Sequence, residues 1–199
     1  MQKSSFLFLL IIIAVALIGA YQPLETSSGI TGFIRFFALS SYFLICVSLV
    51  LGPLALFWPQ TFGQTIEPRR AIGISAFAFA LLHMLILVAR VDGNVALLLN
   101  GIDAVVSITA AIILLVLTLT SSDYAVRTLG PGLWKNIQRF NYLAFVLVTV
   151  HFLLKANGLR LDGLNISEAV LLVFGIATIF IQLAGFMERK ARMKAAQRQ

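Results

Sequence analysis

The sequence predicts an all-α polytopic membrane bundle of about six transmembrane helices, and three observations lead there. Across 199 residues, 60% are hydrophobic and only 12% are charged; a soluble domain carries about 25% charge. Apolar runs long enough to cross ~30 Å of hydrocarbon recur along almost the whole chain. Proline and glycine punctuate them at Pro23, Pro59, Pro68, Gly93, Gly130-Pro131-Gly132, Gly158 and Gly163. One transmembrane domain therefore covers residues 1–199, with little room for anything outside the membrane.

Taken in order, the predicted spans are Ser5–Tyr21, Thr31–Trp58, Ala71–Ala89, Leu97–Thr120, Phe140–Leu154 and Glu168–Met187. The first has a second reading. Lys3, the apolar run Phe6–Ile18 and the small pair Gly19-Ala20 also fit a secretory signal peptide. The thin basic start and membrane-length run favour a retained helix. In the second span Pro53 is expected to kink the helix or end it early. The third and fifth carry the chain's two histidines, His83 and His151. The stretches 59–70 and 121–139 read as loops, and 188–199 as a basic tail. Cys46 is the single cysteine and reads as a small buried hydrophobe.

Charge fixes the expected orientation. Lys3, the 59–70 and 121–139 loops and the tail hold 11 of the 15 basic residues; Arg35, Arg90, Lys155 and Arg160 fall on the other side. The positive-inside rule then puts both termini in the cytoplasm. The net charge of +7 thus suits the lipid bilayer as partner, with no nucleic acid. No nucleotide fingerprint, metal-thiolate motif or hydrolase triad can be assembled.

His83 lies 13 residues past Arg70 and His151 lies 12 past Arg139. At the helical rise, each imidazole sits roughly 18–20 Å from its arginine. If both arginines mark one face, the rings share a depth in the outer half of the membrane. An ionisable group inside a membrane reads as functional, and two at matching depth point to the axial ligands of a b-type haem. The plainer reading is a pair of bundle histidines bonded to backbone or hydroxyl groups. Ala76 and Ala80, with Gly73 at the margin, share the helical face of His83 and serve either porphyrin approach or helix packing. Ala144 repeats the pattern before His151. Arg90 and Lys155 return close to the histidine faces just outside, placed for haem propionates or for ordinary snorkelling. Asp103 reads as an interfacial residue or a helix-end partner for an arginine.

Three stretches carry a resemblance to a known family. They are Arg69-Arg70-Ala71-Ile72-Gly73 leading to Leu82-His83; Leu117-Thr118-Leu119-Thr120-Ser121 followed by Arg127, Leu129-Gly130 and Trp134; and Arg139, Tyr142 and His151-Phe152. In that order and spacing the chain resembles the ferric-reductase-like transmembrane family. Within it, the nearest likeness is to the haem-binding membrane subunits of bacterial methionine sulfoxide reductase systems. The likeness covers about 65–155, more vaguely from Thr31, so the core is expected over about 31–155.

The resemblance implies a helix bundle whose third and fifth spans hold two stacked haems, with His83 and His151 on the outer one. The inner ligands would fall at Arg69 or Arg70 and near Gln138. Arginine has no lone pair to offer iron and glutamine is a poor ligand, so one outer haem b is expected. Electrons are implied to enter beside Arg70, Trp134 and Arg139, from a flavin such as FMN or from a quinone. With about 12 residues after the last span, the donor is expected to be a separate flavin reductase or the quinone pool. The implied acceptor is a periplasmic molybdenum-containing reductase or, less readily, a ferric chelate. The chain is then the electron-transfer subunit of an oxidoreductase system. The competing function is a haem-free scaffold or small transporter subunit.

Overall fold

The second predicted span is the longest and becomes the centre of the protein. The structure, a computed structural model, describes residues 3–26, 29–63, 66–155 and 165–197. In chain order these form α1 (Lys3–Glu25), α2 (Gly29–Phe57), the short α3 (Pro59–Phe62), α4 (Ile66–Arg90), a 3-10 turn (Val95–Leu97), α5 (Ile102–Leu119), α6 (Asp123–Gln138), α7 (Phe140–Lys155) and α8 (Ile166–Ala196). No strand occurs among the described residues. Five stretches are long and apolar enough to span a membrane (29–57, 68–90, 102–119, 123–155 and 166–196), and Leu10–Glu25 is a shorter apolar helix. In the most apolar window of α2, 67% is buried within the protein, against 11% for α4. Helices α1, α3, α4, α7 and α8 pack on α2, and residues such as Leu85, Ile112, Val173 and Phe180 turn outward.

Helices in lipid gain little from hiding apolar surface from one another, so close packing has to hold them. On α4, Gly73 and Ala76 bring the backbone close to α2. Ser41 Oγ donates to the Ala76 carbonyl at 2.9 Å, and the place of a Gly73 Cβ lies 3.8 Å from Ser48 Oγ. The small-residue face before His83 therefore serves helix packing. Four helices close a ring in which α2 packs on α4, α4 on α5, α5 on α7 and α7 on α2. In that ring α4 and α7 stand diagonally opposite, without extensive contact. Outside it, α1 and α8 pack on α2.

Several boundaries differ from the sequence reading. Pro53 does not end α2, which continues to Phe57. A proline lacks the N–H that would bond four residues back, which leaves the Leu49 carbonyl without its helical partner. Gln182 of α8 donates its side-chain amide to that carbonyl. One turn later Gly185 gives Pro53 room, the place of its Cβ lying 2.9 Å from the proline ring. Gln182→Leu is expected to cost about 1–2 kcal/mol of stability in micelles. The loss should shrink when Pro53→Ala restores the helical bond, and a double-mutant cycle on melting temperatures checks this.

Pro68 falls in the first turn of α4, where a missing N–H costs nothing, so the helix starts at Ile66 rather than Ala71. The stretch 121–139 is helical instead of a loop. Ser122 caps α6 by accepting from the Ala125 N–H at 3.1 Å, and the break is confined to Gly130, with φ +73°. The basic tail continues α8 as far as Ala196. Gly158, Arg160 and Gly163 lie outside the described residues.

Candidate functional site

Both histidines sit on the diagonal helices of the ring. His83, half-buried on α4, has Nδ1 3.0 Å from the Ile34 carbonyl of α2. A carbonyl only accepts, so Nδ1 carries the proton and donates, and Nε2 keeps its lone pair. That is the arrangement in which a ligating imidazole is oriented by a backbone group behind it. His151, on α7, has a buried Nδ1 with no hydrogen-bond partner. A buried polar atom without a partner is uncommon and calls for an explanation. Lys155 follows His151 by one helical turn on α7.

Among the described residues no three or more His, Cys, Asp or Glu side chains gather as a metal centre. A bare ion such as zinc needs three or four protein donors. A haem brings four nitrogens of its own and asks the protein for two axial ones. Two imidazoles, one on α4 and one on α7, with no third such donor grouped with them among the described residues, therefore fit a haem and do not fit a bare ion.

Around this pair, Lys155 Nζ meets Asp103 Oδ2 at 2.5 Å. The carboxylate sits in the first turn of α5, where it also favours the helix dipole. Asp103 is thus the partner of a lysine rather than of an arginine. Arg90 ends α4 with an exposed side chain and no ion pair among the described residues. Arg35, the residue after Ile34, stands 4.0 Å from Glu168 of α8.

Sequence reasoning missed the aromatic stack beside His151. The Tyr42 ring lies nearly parallel to Phe145, with centroids 6.1 Å apart, and to Phe152 at 5.3 Å. The Tyr42 hydroxyl lies 3.3 Å from Thr149 Oγ, and because Thr149 gives its one proton to the Phe145 carbonyl, Tyr42 is the donor between them. Phe145, Thr149 and Phe152 fall on one helical face by their i, i+4, i+7 spacing, a signal the sequence did carry. The Ile34 carbonyl had no such signal, because any residue supplies one.

At the opposite end the structure joins two of the three expected residues. Arg70 pairs with Asp123 at 2.5 Å and lies 5.5 Å over the Trp134 ring, a cation–π contact. Trp134 donates to the Thr120 carbonyl at 2.9 Å. Gln138 donates to Thr120 Oγ at 3.2 Å and to the Leu117 carbonyl at 3.4 Å. Arg139 is exposed and bonds Asn136 at 3.0 Å. Arg70 and Gln138, at the inner-ligand positions, are held by these polar contacts.

Comparison with known proteins adds the following. Residues 31–149 match the model of the family described as "Ferric reductase like transmembrane component". That match runs from α2 into α7, contains His83 and stops two residues before His151. The chain is 34% identical over 115 residues to the protein-methionine-sulfoxide reductase heme-binding subunit MsrQ of Enterobacter sp. (strain 638), covering 55% of this chain and 56% of that protein. MsrQ of Azospira oryzae is 34% identical over 90 residues, 43% of this chain and 39% of its own length. Magnetosome protein MamZ of Magnetospirillum gryphiswaldense is 33% identical over 97 residues, 45% of this chain and 14% of MamZ. The chain spans about half the length of the Enterobacter relative it matches.

Proposed function

The chain belongs to the ferric reductase like transmembrane component family, and on that premise we propose that it is a haem b-containing electron-transfer subunit of a bacterial inner membrane. It accepts electrons on the cytoplasmic side from a flavin reductase, FMN or quinone. It passes them to an acceptor on the far side such as a methionine sulfoxide reductase. Both termini lie in the cytoplasm. The observation that carries this reading is the pair of imidazoles on diagonally opposite helices, one with Nδ1 tied to Ile34 and the other with Nδ1 buried and unpartnered. Cofactor sites in helical bundles are built in this way, from side chains on facing helices.

Haem, when bound, supplies a one-electron carrier, and the protein sets its position and surroundings. His83 and His151 would hold it through their ring nitrogens. The Ile34 carbonyl holds the His83 ring in one tautomer, and the Lys155–Asp103 pair ties the end of α7 to α5. Arg90 is free to meet a propionate, while Lys155 adds positive potential beside its own carboxylate. The Arg70–Trp134 pair would sit at the electron-accepting end.

A reduced-minus-oxidised visible spectrum of the purified full chain, with extraction of the cofactor, tests the proposal. Low-spin b-type bands are expected; a colourless protein after haem reconstitution would falsify it in favour of a scaffold or transporter subunit. Arg90→Glu and Lys155→Glu are each expected to lower haem retention about tenfold, the worth of one charged hydrogen bond. Wild-type haem-to-protein ratios in both would remove the propionate role.

A further inference from the structure

Two arginines far apart in the sequence meet over Gly52 of α2. A Cβ at Gly52 would lie 3.4 Å from the Arg69 guanidinium and 3.8 Å from that of Arg189. The two cations are near enough to feel one another's charge, with Tyr142 also in range of Arg69. Neither makes an ion pair among the described residues. The adjacent Glu188 carboxylate is engaged by Arg192 at 2.7 Å. Adjacent like charges at a membrane boundary are unfavourable unless an anion lies between them. Guanidinium forks match phosphate oxygens in pairs, and basic notches between transmembrane helices on the cytoplasmic side bind anionic head groups.

We propose that Arg69 of α4 and Arg189 of α8, brought together over Gly52, form a phosphate-binding clamp at the end of the bundle rich in basic residues. Its ligand is a phosphate monoester or diester, carried by an anionic phospholipid or by a soluble phosphate compound. The site does not depend on whether haem binds, and it ties α8 to the central helices through the anion.

The test is thermal unfolding of the purified full chain in three settings: nanodiscs of phosphatidylglycerol, nanodiscs of phosphatidylcholine, and phosphatidylcholine with added inorganic phosphate. The expected result is a higher melting temperature with phosphatidylglycerol or with phosphate, and the arm that responds identifies the source. Arg69→Gln and Arg189→Gln should each weaken the effect roughly tenfold in ligand concentration, and Arg189→Lys should retain part of it. Lys190→Gln, which removes one tail charge outside the clamp, should leave it unchanged. Stabilisation lost equally in Lys190→Gln, or absent from every arm, would overturn the clamp. Should Arg69→Gln fail to fold, the Arg189 variants alone decide.

Discussion

His151→Ala is expected to abolish the low-spin b-type spectrum while the protein still reaches the membrane. The imidazole is one of only two in the chain, so no neighbouring histidine can replace it. Its Nδ1 has no protein partner to lose, and its removal should therefore disturb the apoprotein little. Losing the ligand should weaken haem retention by more than about 100-fold, since second-shell changes alone cost 10–100-fold at metal sites. His83→Ala should do the same and also leave the Ile34 carbonyl without its side-chain donor. The measurement is the visible spectrum and pyridine haemochrome content of each variant at matched protein level. Wild-type bands in either variant would remove that histidine from the ligand set.

Gly175→Ala is expected to produce the largest loss of stability among conservative substitutions in the core. A Cβ at this position would sit 2.0 Å from the Tyr42 hydroxyl and 3.1 Å from the ring carbon bearing it. Tyr42 cannot retreat easily, because it is only 1% exposed and is stacked between Phe145 and Phe152. Overpacking of this kind costs about 3 kcal/mol. Tyr42→Phe removes the hydroxyl and its bond to Thr149, which keeps its bond to the Phe145 carbonyl at 2.8 Å, so that change alone should cost about 1 kcal/mol. In the double variant the oxygen no longer collides, and part of the alanine penalty should vanish. Melting curves in micelles decide it: a wild-type transition for Gly175→Ala would show that the helices part without cost.

The sequence showed the apolar spans clearly because membrane thickness imposes a length that no other constraint obscures. It placed the end of the second span within a residue although Pro53 lies inside that helix, where Gln182 takes up the freed carbonyl, and it started the third span too late because Pro68, harmless in a first turn, was read as a break. The Gly130-Pro131-Gly132 cluster did mark a break, but a local one, and the caps of α6 made helix on either side. His83 and His151 stood out because histidine is so scarce here. Arg70 and Trp134, placed at one end by charge and resemblance, do touch, while the contact of Arg139 is with Asn136. What could not be read was tertiary: the Ile34 carbonyl behind His83, the lysine partner of Asp103, and the meeting of Arg69 with Arg189 across helices.

The contact between Gln182 and the Leu49 carbonyl carries a consequence for descent. In a relative with any residue other than proline at the position of Pro53, the backbone seals that carbonyl unaided. The glutamine is then released from its duty and open to drift, whereas a lineage that keeps the proline must keep an amide or hydroxyl donor facing it. The two positions are expected to change together through the family's history, although they lie in helices separated by most of the sequence.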